Sequence, residues 1–283
     1  MARHHRRSGT GPGRVLEVSP ATVGWGSLDF SVLQLESGTS TTLETVDREV
    51  ALVPLEGAIQ ARVGEAGYHL RRSSVFREMP HVLYVPPGEA ISLTAEAKAE
   101  VAVGGAPADG RYPVRLFSPA EMRSEVRGGG GATRQVNHVL AHPLPAERLI
   151  LYEVYVPRGG WSGWPPHCHD GYEGSPYLEE TYYFRLDPPD GWAIHRNYRV
   201  DSDFDETFAV RDRDVVCVTQ GFHSSAAAPG SHMYFLNYLA GELLGEDRGI
   251  PPFFQPEYRW IDGNWDQDAM TLPVVSPSDG RRA

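Results

Sequence analysis

Three short stretches concentrate side chains able to hold a metal ion. Trp164-Pro165-Pro166-His167-Cys168-His169-Asp170 sets two histidines two residues apart, Leu178-Glu179-Glu180-Thr181-Tyr182-Tyr183-Phe184 follows with a pair of glutamates, and Gln220-Gly221-Phe222-His223 adds a third histidine. On a strand, side chains two apart share a face, so His167 and His169 are expected to project together into one cavity. With Glu180 and His223 they form a set of three imidazoles and one carboxylate, suited to Zn, Mn, Fe, Co or Ni rather than to Ca or Mg. Parity chooses between the glutamates. Glu180, Tyr182, Phe184 and Leu186 share the apolar face that should point inward, whereas Glu179, Thr181, Tyr183 and Arg185 share the other. Glu180 is therefore the expected ligand, and Glu179 a partner behind the ligands or an outward charge. A lone His-x-His is ordinary in a strand; its conjunction with the glutamates and a later Gly-x-His carries the metal reading. Cys168 faces away from both histidines and reads as a small packing residue.

The elements that must position these residues are short strands punctuated by Gly and Pro. FSVLQLESG, EVALVPLEG, AIQARVG, HVLYVPPG, ISLTAEA and EVAVGGAP fill the first half, and RLILYEVYVPRGGW, EETYYFRL, GWAIHRNYRV, ETFAVRDRDVVCVTQGFH and HMYFLNYLAG fill the second. Helix signals are almost lacking, so the fold is expected to be all-β, with two jelly-roll barrels in tandem. The expected division is a first barrel over 14–108, a linker over 109–134 containing the glycine run Gly128 to Gly131, a second barrel over 135–266 and a tail over 267–283. The first half has no His-x-His: Glu49 opens EVALVPLEG, but nothing like His167-Cys168-His169 precedes it. One metal per chain is expected, in the second barrel. Trp260 and Trp265, in a Pro-, Trp- and Asp-rich stretch without periodicity, read as packing residues.

Composition narrows the partners. The 283 residues carry a formal net charge of -11, which argues against nucleic acid, because phosphate backbones call for clustered Lys and Arg. The one basic cluster, MARHHRRSGTGPGR, is expected to be a solvated end. It lacks the apolar core of a signal peptide, and no later stretch is apolar enough to span a bilayer, so a cytoplasmic protein without a membrane partner is expected. Two cysteines, Cys168 and Cys217, are too few for a disulfide framework and lack CxxC spacing, in keeping with a reducing compartment.

His-x-His, then Glu, then Gly-x-His with Asn237 shortly after looks like the two motifs of the cupins. Fuller stretches, SVFREMPHVLYVPPG, GWSGWPPHCHD, YLEETYYFRLDPPDGW, HRNYR and MYFLNYLAG, resemble the 5-deoxy-glucuronate isomerase family, itself similar to 4-deoxy-5-keto-uronate isomerases, from about Leu16 to Trp260. The resemblance implies two tandem cupin domains and metal ligands at His167, His169, Glu180 and His223, in agreement with parity. The cofactor it implies is one divalent transition metal, zinc foremost, with Mn, Fe, Co or Ni also accepted by the set. The chain departs from the family pattern at Cys168, where a lysine is expected, at His195, where a glutamine is, and at Ser224, where a proline is.

The implied reaction turns an aldose into a ketose: 5-deoxy-D-glucuronate becomes 2-deoxy-5-keto-D-gluconate, as in myo-inositol degradation. Such a reaction asks for a divalent cation to stabilise an enediolate and a group to carry a proton between adjacent carbons, or else a hydride shift. Glu179, His195, Tyr182 and Tyr198 are the candidate proton carriers. The carboxylate of a small sugar acid calls for a bidentate arginine, and Arg196 and Arg134 are the candidates. Two other functions fit the same ligands: a metal-dependent dioxygenase holding Fe(II), and a non-catalytic cupin that binds sugar acids. No helix-turn-helix pattern supports a DNA-binding regulator. Barrel edges and a metal-free first unit leave room for a homo-oligomer.

Overall fold

The computed structural model describes residues 4–274, and these fold into two curled β units. In the first, the sixteen-residue strand Arg48–Val63 is the spine. Its first half pairs with Ala99–Pro107 and Val82–Val85, and its second half with Ala66–Arg72 and Ala90–Ala95. The register shifts between Pro54 and Glu56, where the missing Pro N–H suits a bulge, and the strand turns the corner from one sheet into the other there. Leu33, Leu52, Ile59, Leu70, Leu83, Leu93 and Val101 fill the space between the two sheets.

The second unit repeats the plan. Leu178–Asp187 lies between Asp214–Val218 and His232–Gly241, and the latter pairs onward with Ile150–Val156, Arg134–Leu140 and Arg123–Arg127. Facing this sheet is a second one ordered Asp205–Val210, Ala193–Tyr198, Phe222–Ala227, Trp161–Cys168 and Phe253–Phe254. Val154, Tyr182, Phe184, Leu186, Phe208, Val216 and Phe235 pack between them. Among the described residues no helix is long and apolar enough to cross a membrane.

Two expectations change. The basic N-terminal segment is not a solvated end: His5–Arg7 adds an antiparallel edge strand to Asp214–Val218, with His5 bonded to Asp214 at 2.8 Å and His4 to Glu206 at 2.6 Å. An open sheet edge offers unpaired backbone groups, and two imidazoles beside two carboxylates supply side-chain partners for a segment that hydropathy alone would leave in water. Within 109–134, Arg115–Phe117 extends the first unit by pairing with Val82–Val85, and Arg123–Arg127 extends the second. Only short turns therefore join the units, and the glycine run is held by Trp265, which packs against Gly129.

A third apolar cluster joins the units face to face: Val18, Leu28, Phe30, Val53, Tyr84 and Ala102 meet Leu151, Tyr183, Cys217, Tyr234, Leu236 and Tyr238. Polar groups cross it in pairs. Glu179, second residue of its strand, accepts the backbone N–H groups of Gly26 (2.6 Å), Ser27 (2.9 Å) and Leu28 (2.7 Å). Glu49, second residue of the corresponding strand, accepts those of Glu147 (2.8 Å), Arg148 (2.6 Å) and Leu149 (2.7 Å), together with the Tyr84 hydroxyl (2.8 Å). Each unit thus uses one carboxylate to satisfy the turn that opens a strand of the other. Between them Arg72 and Glu153, both fully buried, form a two-pronged ion pair at 2.6 and 3.1 Å, and the Tyr234 hydroxyl adds a bond of 2.7 Å to the same carboxylate.

Replacing Glu179 or Glu49 by Gln puts an amide NH2 among donors and removes the charge that strengthens these bonds. Each single change is expected to cost about 2–3 kcal/mol of unfolding free energy in urea titrations. A loss below a few tenths of a kcal/mol would mean that the turns hold without the carboxylates.

Candidate metal centre

The two facing sheets of the second unit meet at a cavity of roughly 780 Å³, its open mouth included. His167 and His223 sit directly across from one another on paired strands, and His169 lies just past the end of its strand. Glu180 comes from the opposite sheet, in register with Leu239 and Val218. The strand carrying His167 runs close against its neighbour because Gly163 adopts φ +73°, and a Cβ there would stand 2.8 Å from the His223 carbonyl oxygen. The imidazoles of His167, His169 and His223 offer nitrogens all within 4.8 Å of one another.

The side chains around this point present lone pairs to each other. His169 Nδ1 faces the Leu178 carbonyl at 2.8 Å and must donate to it, so its Nε2 turns a lone pair toward Glu180 Oε2 at 2.9 Å. His223 Nε2 is buried, has no hydrogen-bond partner among the described residues and lies 3.3 Å from the same oxygen. Three converging histidine nitrogens with a carboxylate beside two of them are what a divalent transition metal satisfies, and the set is chemically a fit for one. A proton competes for the same lone pairs. Burial and then the neighbouring imidazoles hold His167 well below its ordinary pKa. Burial pulls His169 down too, but the hydrogen bond and charge of Glu180 outweigh it and leave His169 raised. Burial pushes Glu180 up, yet its bond to His169 and the nearness of His223 win and bring it to about 2, so the carboxylate is ionised across the neutral range.

Besides His167, His169 and Glu180, the residues Arg134, Tyr152, Tyr182, Asn237 and Arg248 line the cavity, with Ile250 and Pro252 at its wall. Arg134 is 8% exposed and spends one N–H on the Ala132 carbonyl (3.1 Å); among the described residues no carboxylate pairs with it. Burial first, and then the like charge of Arg127, lower it to about 10, which leaves it cationic at neutral pH. Arg248 spends its donors on the carbonyls of Leu140, Leu144, Leu149 and Gly245, and so ties down the segment that carries Ile250 and Pro252. Burial drives the Tyr182 phenol well above its ordinary value, so it is a hydrogen donor rather than a base.

Of the six residues singled out for proton transfer or for a substrate carboxylate, the structure brings Tyr182 and Arg134 to the cavity and puts the other four elsewhere. Glu179 lies at the junction of the units with its oxygens occupied by three N–H groups. His195 is fully buried behind His223, its Nδ1 bonded to Ser225 (2.8 Å) and its Nε2 to Asn197 (2.7 Å), and burial lowers it to about 3. Tyr198 donates its hydroxyl to Gln255, and Arg196 is tied to Asp205 by two bonds at 2.9 and 2.6 Å on the exposed side of the sheet. Strand parity places Arg196 on that outer face, opposite His195 and Asn197. Tyr152 was within reach of the same argument: Ile150, Tyr152 and Val154 face the barrel while Leu151 and Glu153 face the other unit. Arg248 had no sequence signal, since it belongs to an irregular segment. Cys168 is buried on the far side, and burial pushes its thiol up to about 12.

The two-barrel arrangement is shared with Bacillus subtilis oxalate decarboxylase, one mutant of which superposes with a TM-score of 0.61 at 12% identity, covering 95% of this chain and 86% of that one. Such a likeness speaks to the fold alone, which is a two-domain jelly-roll cupin. The likeness is far closer to an IolB-like protein from Salmonella typhimurium LT2, with a TM-score of 0.87 and 36% identity over 92% of this chain and all of that one. A 5-deoxy-glucuronate isomerase from Geobacillus kaustophilus is 39% identical over 254 residues, 88% of this chain and 91% of its own length. The one from Bacillus subtilis strain 168 is 34% identical over 240 residues, 83% and 87% of the two chains. Residues 2–261, which take in both units and every residue of the candidate centre, match the KduI/IolB family, and the chain belongs to it.

Proposed function

We propose that this chain is an aldose–ketose isomerase converting 5-deoxy-D-glucuronate to 2-deoxy-5-keto-D-gluconate, with one divalent transition metal, zinc foremost, held by His167, His169, Glu180 and His223. The observation that carries the reading is the convergence of three imidazoles, with the Glu180 carboxylate 2.9 and 3.3 Å from two of them, beside a cavity that also holds a buried guanidinium without a carboxylate partner among the described residues. The metal would supply Lewis acidity toward a carbonyl and its neighbouring hydroxyl.

The reaction moves one hydrogen from the hydroxyl-bearing carbon to the aldehyde carbon and one proton from the hydroxyl to the carbonyl oxygen. Arg134 meets the substrate carboxylate, and burial strengthens that contact by thinning the water around it. Anchoring the acid end leaves the aldehyde end to reach the histidines, so the distance between guanidinium and ligand cluster sets the length of substrate accepted. Tyr182 keeps its proton in this setting and donates to the oxygen on which charge develops. Asn237 spends its Nδ2 on the Thr181 carbonyl (3.2 Å), which leaves its Oδ1 as an acceptor at the cavity for a substrate hydroxyl. Leu178, Val136, Val154, Phe235 and Leu239 exclude water around these groups.

Incubating zinc-loaded protein with 5-deoxy-D-glucuronate and following the proton NMR spectrum should show the 2-deoxy-5-keto acid form, and a His167→Ala, His169→Ala variant should give none. Failure of the wild type with any divalent first-row metal would sink the proposal, and oxygen uptake in its place would favour a dioxygenase. Arg134→Met should raise KM for the acid by about 10–100-fold while changing kcat less, the effect of removing one charged hydrogen-bond partner. An unchanged KM would assign the carboxylate to another group. Glu179→Gln should leave kcat of the folded enzyme near the wild-type value; a loss of kcat without loss of stability would bring Glu179 back to the chemistry.

A further inference from the structure

We propose that Asp170 is a positioning residue that fixes the spacing of His169 and His223; the inference rests on the metal reading above. The ladder between the two strands that carry the histidines ends at the pair His167 and His223. His169 lies two residues beyond; its carbonyl accepts the Leu178 N–H at 2.8 Å and Asp170 bridges to Tyr177, so backbone pairing holds it to the segment before Glu180 and not to the strand of His223. Asp170 follows it and closes the gap. Its carboxylate, 6% exposed, accepts the Gly221 N–H through Oδ2 at 2.7 Å and the Tyr172 N–H through Oδ1 at 3.2 Å.

Gly221 stands two residues before His223 at φ +81°, and a Cβ there would lie 2.3 Å from the Tyr198 carbonyl oxygen. The turn into His223 therefore has little room to move, and the bond from its N–H ties it to the end of the strand that carries His167. The charge of Asp170 is met by Arg199, which is itself gripped by Asp201 through two bonds of 2.7 Å and lies 5.5 Å from the centre of the Tyr172 ring. Asp170 is not among the residues lining the metal cavity, so any influence it has there passes through the two histidines. Carboxylates that orient metal ligands from behind commonly contribute about 10–100-fold to metal affinity.

The test uses Co(II), whose visible absorption reports ligand geometry, added to the full metal-free chain. Asp170→Asn should raise the Co(II) dissociation constant by about 10–100-fold and shift the absorption bands, and Arg199→Ala should act in the same direction by less. Equal Co(II) affinity and an unchanged spectrum in Asp170→Asn, with a lower Tm both with and without metal, would overturn the proposal and leave Asp170 a part of the fold only. If Asp170→Asn does not fold, Arg199→Ala decides in its place, and wild-type affinity and spectrum there overturn it. A wild-type chain that binds no Co(II) would instead remove the metal reading and this inference with it, a failure seen in the wild type rather than in the variants.

Discussion

The register of one strand, Leu178–Asp187, governs both halves of the molecule. It is buried on both faces, and adjacent glutamates serve opposite tasks: Glu180 turns into the cavity while Glu179 turns into the junction with the first unit. A slip of one residue one way would put Leu178 where Glu179 stands and strand three backbone N–H groups, and a slip the other way would put Thr181 where Glu180 stands and take the carboxylate from the cavity. Side-chain alternation makes such a slip all-or-none. The three N–H groups of Gly26, Ser27 and Leu28 thereby fix where Glu180 stands, although they lie in the other unit.

Buried charge at the junction of the units is tolerated because each of three carboxylates there is saturated with donors. Glu179 and Glu49 take three backbone N–H groups apiece, and Glu153 takes both prongs of Arg72 and the Tyr234 hydroxyl. Breaking one partner of a fully buried pair such as Arg72 and Glu153 typically costs about 3–5 kcal/mol, far more than the pair gains over an apolar replacement. These groups therefore act chiefly on specificity: an apolar interface could slide, whereas donors and acceptors paired across it in two matching sets admit one docking. Arg134 is the contrast, a buried cation without a carboxylate partner among the described residues, and it stands where a ligand could supply one.

Much of this was legible in the sequence because strand parity is a strict rule. It separated Glu180 from Glu179 and put His167 and His169 on one side of their strand; applied to Ile150–Val156 it would have given Tyr152 as well. Parity says only which face a side chain takes, not what covers that face. His195 points inward, but Ser225 and Asn197 hold both its nitrogens, and Glu179 points to a surface that a second unit covers. Arg248 and the pairing of His5–Arg7 with Asp214–Val218 depend on contacts made over separations of about 100 to 200 residues, which no local pattern records.

The unit without a histidine pair bears on the site through this geometry. Its interior is filled by Leu, Ile and Val side chains, and its contribution runs through the shared face. The face opposite Glu180 on the central strand must be covered if that strand is to be rigid, since an exposed strand bearing Glu179, Thr181 and Tyr183 would leave apolar and charged groups alike in water. The first unit covers it, bonds to Glu179 and accepts the Tyr183 hydroxyl on Glu100 at 2.6 Å. The placement of Glu180 in the second barrel is thus maintained from outside the barrel. This accounts physically for a chain that keeps two copies of one architecture while placing its cluster of three histidines in one of them.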